Sequence, residues 1–348
     1  MIKARFLKHV LQFKEPAGTS RGVLHNKPTY FLILSDGKNH GIGECGVLPG
    51  LSIDDRDGYD EVLEWVCANI HLPSVLIREE LTKWPSILFG WEQATRSLDL
   101  NGDLRLWYTS FSRGESGQPI NGLIWMGDLN FMREQVKKRL DEGFTCLKMK
   151  IGAVDLEQEL GIIEKLRSEF DPQSLEIRVD ANGAFQPNEV PRILDSLARF
   201  KVHSIEQPIQ AGQWQEMAAI CENPSIPVCL DEELIGIYET EEKKRLAQTI
   251  RPQFFILKPS LIGGFESSKE WIEIASQFNS GWWMTSALES NIGLNAIAQF
   301  TAALGNPMPQ GLGTGSLYTN NIPSPLMVRN GQLWYEKDTQ WDLTLLDM

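Results

Sequence analysis

The spacing of apolar residues changes near residue 118. Before that point, short stretches of alternating apolar and polar residues predict strands at 6–13, 29–34 and 41–45, with a turn at Asp36-Gly37. Two stretches with helical spacing follow, at 57–70 and 88–99. The front of the chain is therefore expected to be an α+β unit.

After that point, short apolar segments alternate regularly with amphipathic segments of helical spacing. The strand candidates are residues 121–126, 146–151, 176–180, 203–206, 228–231, 254–258, 282–286 and 310–312. Such alternation is typical of parallel βα units, and eight of them predict a TIM-like (β/α)7β barrel. We expect a capping domain at 1–115, the barrel at 116–315, and a tail at 316–348 that returns to the capping domain with a hairpin turn at Asn330-Gly331.

Composition argues against several classes of binding partner. A net charge of −13, without a Lys/Arg block, argues against a nucleic-acid or membrane-surface protein, and no apolar run reaches membrane length. The five cysteines include no Cys-x-x-Cys pair, which favours reduced thiols in a cytoplasmic protein. The expected partner is a small-molecule carboxylate. The sequence leaves the oligomeric state open, and a homo-oligomer is compatible with it.

Two lysines stand two residues apart in an apolar run. On a strand, Lys148 and Lys150 share one face and Met149 takes the other. Buried side by side, the two ammonium groups would repel and lose water, so both pKa values are expected to fall and one lysine could act as a base. An exposed strand edge decorated with lysine is the alternative.

The next three strand candidates end in acids, and a fourth ends in a lysine. Asp180, Glu206, Asp231 and Lys258 follow one another at steps of 25 to 27 residues, which is one βα unit each. Because the carboxyl ends of barrel strands share one rim, the three carboxylates should converge there. Oxygen ligands without Cys or His select a hard cation, Mg²⁺ first and Mn²⁺ second.

Each acid also has a simpler interpretation. Asp180 could cap the following helix, and Glu206 could precede a turn. Asp231 competes with Glu232 and Glu233 for the place of the ligand. All three simpler interpretations together are hard to reconcile with the even spacing.

The lysines flank the expected metal site. The strand of Lys148 and Lys150 precedes the first acid, and Lys258 follows the last, so amines should face each other across the barrel mouth. This arrangement suits removal of a proton next to a carboxylate that a divalent cation holds. A barrel that binds metal without catalysing, and a Schiff-base lysine aldolase, remain alternatives.

At these residues the sequence resembles the enolase superfamily, in its muconate-lactonising subgroup. The matching motifs are Lys148-x-Lys150, Asp180-Ala-Asn-Gly, Glu206-Gln-Pro, Asp231-Glu and Lys258-Pro-Ser-Leu-Ile-Gly-Gly. The resemblance covers most of the chain and implies a capping domain, a (β/α)7β barrel and Mg²⁺.

Within that subgroup, residues 19–22, 285–294 and 311–315 look most like the family of o-succinylbenzoate synthases. Dipeptide epimerases usually carry Asp-x-Asp on the last strand, where this chain has Gly313 and Gly315. The implied reaction is the syn-dehydration of 2-succinyl-6-hydroxy-2,4-cyclohexadiene-1-carboxylate to 2-succinylbenzoate and water, a step of menaquinone biosynthesis. An N-acylamino-acid racemase or dipeptide epimerase, and a muconate cycloisomerase-like enzyme, are the alternatives.

The resemblance also implies roles for individual residues. Lys150 would remove the α-proton and then protonate the leaving hydroxyl, Lys258 would stay protonated beside the enediolate, and Lys148 would lower the pKa of Lys150. Glu289 could line the pocket or support it from behind by pairing with a lysine, and Arg21 could bind the succinyl carboxylate or simply be exposed. The implied substrate-binding residues are Ser286, Glu289, Ser290, Gly293, Ser20 and Arg21.

Overall fold

The computed structural model describes residues 2–19, 22–152 and 156–348. The chain opens with an antiparallel sheet of three strands in the order β1-β2-β3. These are β1 (Lys3–Thr19), β2 (Gly22–Ser35) and β3 (His40–Cys45). The middle of β2 is apolar without alternation because both of its faces are covered. Leu32 and Leu34 pack in the capping-domain core, whereas Phe31 and Ile33 pack with residues of the tail.

Three helices cover the first of these faces. They are α1 (Tyr59–Asn69), α2 (Ser74–Leu81) and α3 (Pro85–Asp99). The predicted helices at 57–70 and 88–99 are confirmed, and α2 is additional. Glycines let α3 lie against β3 at backbone distance. A Cβ on Gly43 would come within 1.9 Å of the carbonyl oxygen of Gly90, so no larger residue fits there.

A short strand, β4 (Gln118–Pro119), leads into the alternating part of the chain. Seven parallel strands then follow in sequential order, with helices between them. The elements are β5 (Gly122–Ile124), α4 (Leu129–Asp141), β6 (Cys146–Lys150), α5 (Leu156–Glu169), β7 (Glu176–Asp180), α6 (Val190–Arg199), β8 (Ser204–Glu206), α7 (Trp214–Glu222), β9 (Val228–Leu230), α8 (Thr240–Ile250), β10 (Phe254–Leu257), α9 (Pro259–Ile262), α10 (Gly264–Gln277), β11 (Gly281–Met284) and α11 (Asn291–Leu304).

The eighth predicted strand is present as two parallel bridges. Gln310 pairs with Ile120, just before β5, and Gly311 pairs with Thr285, just after β11. These bridges join the two ends of the curled sheet. The predicted (β/α)7β fold with an α+β capping domain is confirmed, and within the barrel α9 is a helix that the pattern did not predict.

The tail forms the predicted hairpin and also contacts the capping sheet. The strands β12 (Leu326–Arg329) and β13 (Gln332–Tyr335) flank Asn330 and Gly331, whose positive φ values of 49° and 65° suit a tight hairpin turn. β13 pairs with β4 rather than with the capping sheet. The tail reaches the capping sheet through other residues. Tyr318 forms an antiparallel bridge with Phe13 of β1, the N–H of Thr319 donates to the carbonyl of Gln12 at 2.9 Å, and Ile322 and Leu346 pack with Phe31. The domain boundaries stay predictions.

Among the described residues, no helix combines the length and apolar character needed to cross a membrane.

Candidate active site

Acidic and basic side chains meet at the rim formed by the carboxyl ends of β6 to β10. In the register of the sheet, Lys150 pairs with Asp180, and Asp180 pairs with Glu206. Asp231 directly follows β9, and Lys258 directly follows β10. Residues that are one βα unit apart in the sequence therefore lie next to each other at the rim, because neighbouring parallel strands end side by side.

The two lysines of β6 bind the carboxylates of the next two strands. Lys148 Nζ donates to both carboxylate oxygens of Glu206 at 2.6 Å and lies 2.8 Å from Asp180 Oδ2. Lys150 Nζ donates to Asp180 Oδ2 and to Asn182 Oδ1, both at 2.6 Å. Both lysines thus share one face, as predicted, and Met149 packs in the core on the other.

The pKa of Lys148 departs from the expectation. Burial alone lowers it, but the carboxylates of Asp180, Glu206 and Asp231 outweigh burial and raise the pKa overall. The predicted fall is therefore wrong for Lys148, because the prediction considered the neighbouring amine and not the acids that surround it. Lys258 Nζ donates to Asp231. Burial again lowers the pKa of Lys258, and Asp231 with Glu206 raises it overall.

The carboxylates lie close enough together to repel one another. The pKa of Glu206 is raised well above its usual value by burial and by the negative charges of Asp180 and Asp231, even though Lys148 opposes the rise. Burial also raises the pKa of Asp180, but the lysines, Lys148 first, outweigh it and lower the pKa overall. Buried acids that repel each other in this way suit a bound cation.

The donor set fits a hard divalent ion, although the carboxylates face lysines in this structure. Among the residues described, no three acidic, histidine or cysteine side chains are already arranged as a metal cage. Asp180, Glu206 and Asp231 offer oxygen alone, which is the chemistry that Mg²⁺ and Mn²⁺ prefer. Binding a metal would require these carboxylates to exchange lysine contacts for the ion.

Three consecutive acids follow β9 and point to different places. Asp231 pairs with Lys258 inside the site. Glu232 Oε1 accepts a hydrogen bond from Asn182 Nδ2 at 2.9 Å at the edge of the site. Glu233 accepts from the backbone N–H of Gly212 at 2.7 Å and is directed away from the lysines.

A cavity of about 90 Å³ opens onto these groups. Its basic side is formed by Lys148, Lys150 and Lys258, and no other basic side chain of the described residues lines it. The remaining lining residues are Leu48, Leu51, Asn121, Leu123, Trp125, Asn182, Thr285, Ser286, Ala287, Leu288, Gly311, Gly313 and Thr314. The cavity therefore has a cationic side and a neutral side.

The neutral side holds polar atoms without partners. Asn121 and Thr285 are 4% and 8% exposed, and neither Asn121 Oδ1 nor Thr285 Oγ1 has a hydrogen-bond partner within the described part of the chain. Ser286 Oγ accepts from Thr314 Oγ1 at 2.8 Å beside them. Buried polar atoms are rarely left unsatisfied, so this wall is suited to hydrogen-bond a ligand.

Of the predicted substrate-binding residues that the structure describes, only Ser286 lines the cavity. Glu289 is fully buried behind it, where it accepts from Ser260 Oγ and Ser286 Oγ, both at 2.5 Å. Burial raises the pKa of Glu289, and the charge of Lys27 opposes the rise. The location corresponds to the alternative in which Glu289 supports the pocket from behind.

Ser290 and Gly293 belong to a contact between the capping domain and the barrel. Glu44 of β3 accepts hydrogen bonds from Ser290 N, Ser290 Oγ and Gly293 N at 2.5 to 2.8 Å, and so caps the N-terminus of α11 from another domain. A Cβ on Gly293 would lie 2.8 Å from Glu289 Cβ and 2.9 Å from Glu44 Oε2. Glycine is needed there for packing.

Lys27 of β2 completes this contact. It is fully buried, and Nζ has no hydrogen-bond partner among the described residues. Burial lowers the pKa of Lys27, and the charges of Glu44 and Glu289 oppose that effect. The substrate roles of Glu289, Ser290 and Gly293 stay predictions, and Ser20 and Arg21 lie outside the described residues.

Sequence reasoning missed several residues of the site. Asn182 stands within the Asp180 motif, so its place two residues after a ligand candidate was a usable signal. Thr285 lies one residue before the end of the predicted strand at 282–286, so the rule that found the acids was close to finding it. Leu48 and Leu51 come from the capping domain, and nothing in their local sequence indicates that they reach the barrel mouth.

Comparison with known proteins gives consistent results. The enolase C-terminal domain-like family matches residues 131–338. An o-succinylbenzoate synthase of Desulfotalea psychrophila is 46% identical, over 93% of this chain and 96% of the relative. The crystal structure of MenC from that organism superimposes with a TM-score of 0.85 at 40% identity, covering 96% and 99% of the two chains. The L-Ala-D/L-Glu epimerase of Bacillus subtilis has the same fold, with a TM-score of 0.82 at 15% identity and coverage of 96% and 95%.

Proposed function

The chain belongs to the enolase superfamily and, within it, to the o-succinylbenzoate synthases, and we propose that it forms 2-succinylbenzoate and water from the hydroxycyclohexadiene carboxylate precursor. The observation that carries the proposal is the 46% identity to the Desulfotalea psychrophila enzyme over 93% of this chain. The reaction makes the protein a carbon–oxygen lyase. It also assigns the protein to menaquinone biosynthesis, and we propose a cytoplasmic location.

The proposed cofactor is Mg²⁺, with Mn²⁺ as a substitute. Asp180, Glu206 and Asp231 would hold it, and their crowding and oxygen-only chemistry support this choice. When bound, the ion would supply Lewis-acid stabilisation to a substrate carboxylate that gains negative charge as the α-proton is lost. Lys148 and Lys258 would then give up part of their contact with the carboxylates.

Lys150 is the proposed base. Its Nζ lies on the cavity surface, where Asn182 Oδ1 and Asp180 Oδ2 hold it in place. From there a deprotonated amine would take the α-proton, and the resulting ammonium would return that proton to the leaving hydroxyl on the same face. One residue can serve both steps because the elimination is syn.

Lys258 and Lys148 would act as fixed positive charges. Lys258 Nζ donates to Asp231 and the residue lines the cavity, which supports a fixed positive charge next to a developing negative charge. Lys148 lies beside Lys150 on the same strand face and lines the cavity. It would contact the substrate carboxylate.

The succinyl arm would lie along the neutral wall. Thr285 brings an unpartnered hydroxyl, which can donate a hydrogen bond, to that wall, and Ser286 and Thr314 stand beside it. Hydrogen bonds from neutral groups can bind a carboxylate when those groups are pre-positioned and partly desolvated. Ser20 and Arg21 remain proposed contacts from the loop that follows β1.

The proposal is tested by incubating the protein with the hydroxycyclohexadiene precursor and Mg²⁺ and measuring 2-succinylbenzoate. We expect Lys150→Ala to lower kcat at least about 1,000-fold because the base is lost, with the fold retained by circular dichroism. Lys165→Ala, an exposed lysine of α5, is the matched control and should behave as wild type.

Two results would contradict this proposal. One is absence of turnover by the wild-type protein. The other is near wild-type activity of Lys150→Ala. A parallel incubation with L-Ala-L-Glu in D₂O should show no rapid α-deuterium exchange if the enzyme is not an epimerase.

A further inference from the structure

One residue of the Glu206-Gln-Pro motif has no part in the proposed chemistry. Gln207 is fully buried next to Glu206, and it does not line the cavity. Its side-chain amide is nevertheless completely engaged. Oε1 accepts from the backbone N–H of Asp231 at 3.2 Å and of Glu233 at 3.3 Å. Nε2 donates to the carbonyl of Ile209 and to Glu233 Oε2, both at 3.0 Å.

This pattern fits glutamine and no other common side chain. Two N–H donors meet one end of the amide and two oxygen acceptors meet the other, so the orientation of the amide follows from its partners. A glutamate would place an oxygen against the two acceptors, and an apolar side chain would remove all four hydrogen bonds. Unpaired buried polar groups are costly, which makes the arrangement specific.

The backbone of Gln207 joins the same strand ends. Its N–H donates to the carbonyl of Cys229 in β9 at 2.9 Å, and its carbonyl accepts from Gly183 at 2.7 Å, in the loop that follows Asp180. Gln207 therefore contacts the segments that carry all three proposed metal ligands. It adjoins Glu206 in sequence, and hydrogen bonds link it to the other two segments.

The conformation of Gln207 is itself unusual. Its φ is +40°, in the left-handed region that residues other than glycine, asparagine and aspartate rarely adopt. Such strain persists when surrounding contacts enforce it, and it is common at functional sites. Here the four side-chain hydrogen bonds supply that enforcement, and they would be lost with glycine.

From these contacts we infer that Gln207 is a positioning residue for the metal site, which sets the backbone of Asp231 relative to Glu206 so that their carboxylates can hold one divalent cation. The inference rests on the proposed Mg²⁺ site and goes beyond it by naming a residue that touches neither metal nor substrate. Groups that orient metal ligands commonly change affinity 10- to 100-fold when they are removed.

The chain contains a matched control, a second side-chain amide that contacts the other end of β9. Gln253 Oε1 accepts from the N–H of Val228 at 2.9 Å, and its Nε2 donates to the carbonyl of Cys221 at 3.3 Å. This amide thus holds the beginning of β9, which is the end of the strand away from the site. Gln207 instead hydrogen-bonds the segment that follows the other end of β9. Gln207→Met and Gln253→Met remove side-chain amide hydrogen bonds of the same kind at opposite ends of β9.

The experiment measures Mg²⁺ affinity by calorimetric titration with MgCl₂, and thermal unfolding with and without Mg²⁺. We expect Gln207→Met to weaken Mg²⁺ binding at least about tenfold and to reduce the rise in Tm that Mg²⁺ produces. Gln253→Met should lower Tm by the same amount with and without Mg²⁺ and leave the affinity unchanged. A purely structural role for Gln207 would give the Gln253 pattern and would overturn the inference.

A second variant covers the case in which Gln207→Met does not fold. Asparagine tolerates positive φ, so Gln207→Asn keeps the backbone unstrained while its shorter side chain fails to reach Asp231. It should also lose at least about tenfold in affinity, and wild-type affinity would overturn the inference. Absence of Mg²⁺ binding by the wild-type protein would overturn the metal site and this inference together, whereas wild-type binding with unchanged Gln207 variants would overturn the inference alone.

Discussion

Asp54 should make the capping domain less stable as the pH rises. A carboxylate in an ordinary buried ion pair has the opposite effect. The carboxylate is fully buried, and Oδ2 accepts from Ser86 N at 2.8 Å and Ser86 Oγ at 2.7 Å at the start of α3. Oδ1 has no partner among the described residues. Burial raises the pKa of Asp54 from 3.8 to about 6, against the effect of the hydrogen bonds from Ser86.

The magnitude follows from linkage. A rise from 3.8 to about 6 corresponds to about 3 kcal/mol between the two protonation states. Because the folded protein binds this proton more tightly than the unfolded chain does, Asp54 contributes most to the free energy of unfolding below about pH 4, and the contribution is lost as the pH rises through about 6. About 1.4 kcal/mol of that loss falls between pH 5 and pH 8.

The substitution Asp54→Asn isolates this effect from all other titrating groups. Asparagine is neutral at every pH, and its oxygen can still accept both hydrogen bonds from Ser86. Urea unfolding of wild type and variant at pH 5 and pH 8 should show their difference in unfolding free energy move by about 1.4 kcal/mol in favour of the variant at pH 8. Asp57→Asn, an exposed carboxyl nearby, should show no such movement. If the Asp54→Asn difference is the same at both pH values within about 0.3 kcal/mol, the reasoning is refuted.

Three further predictions concern the site. Asp231→Asn should weaken Mg²⁺ binding at least about tenfold while Glu232→Gln changes it little, and a calorimetric result in the reverse order would move the ligand by one residue. Thr285→Val should raise KM for the precursor about tenfold through loss of a hydrogen bond to a charged group without changing Mg²⁺ affinity, and an unchanged KM would remove Thr285 from the substrate contacts. Lys27→Met should lower the free energy of unfolding by about 3 kcal/mol, because two buried carboxylates lose their counter-charge, and chemical denaturation showing no loss would contradict that account.

Features that depend on local sequence patterns could be predicted from the sequence. The strand and helix positions of the barrel followed from apolar periodicity, because each βα unit buries one face of its helix and both faces of its strand. The convergence of Asp180, Glu206, Asp231 and Lys258 on one rim followed from their even spacing along such units. These predictions needed only the rule that parallel strands end together.

Properties that depend on neighbours distant in the chain were decided by the tertiary structure alone. Lys148 has a raised pKa because the effect of acids on other strands outweighs the effect of burial. Glu289, Ser290 and Gly293 lie behind the cavity because Glu44, some 250 residues earlier, caps α11.

The physical reason for this division is the range of each interaction. Periodicity and strand order are set by which residues must leave water, and each segment carries that information itself. The direction of a side chain and the charge that it holds depend on partners that folding brings within a few ångströms. The sequence therefore determined the barrel and the positions at its rim, and the tertiary structure decided which rim residues face the cavity and which join the capping domain to the barrel.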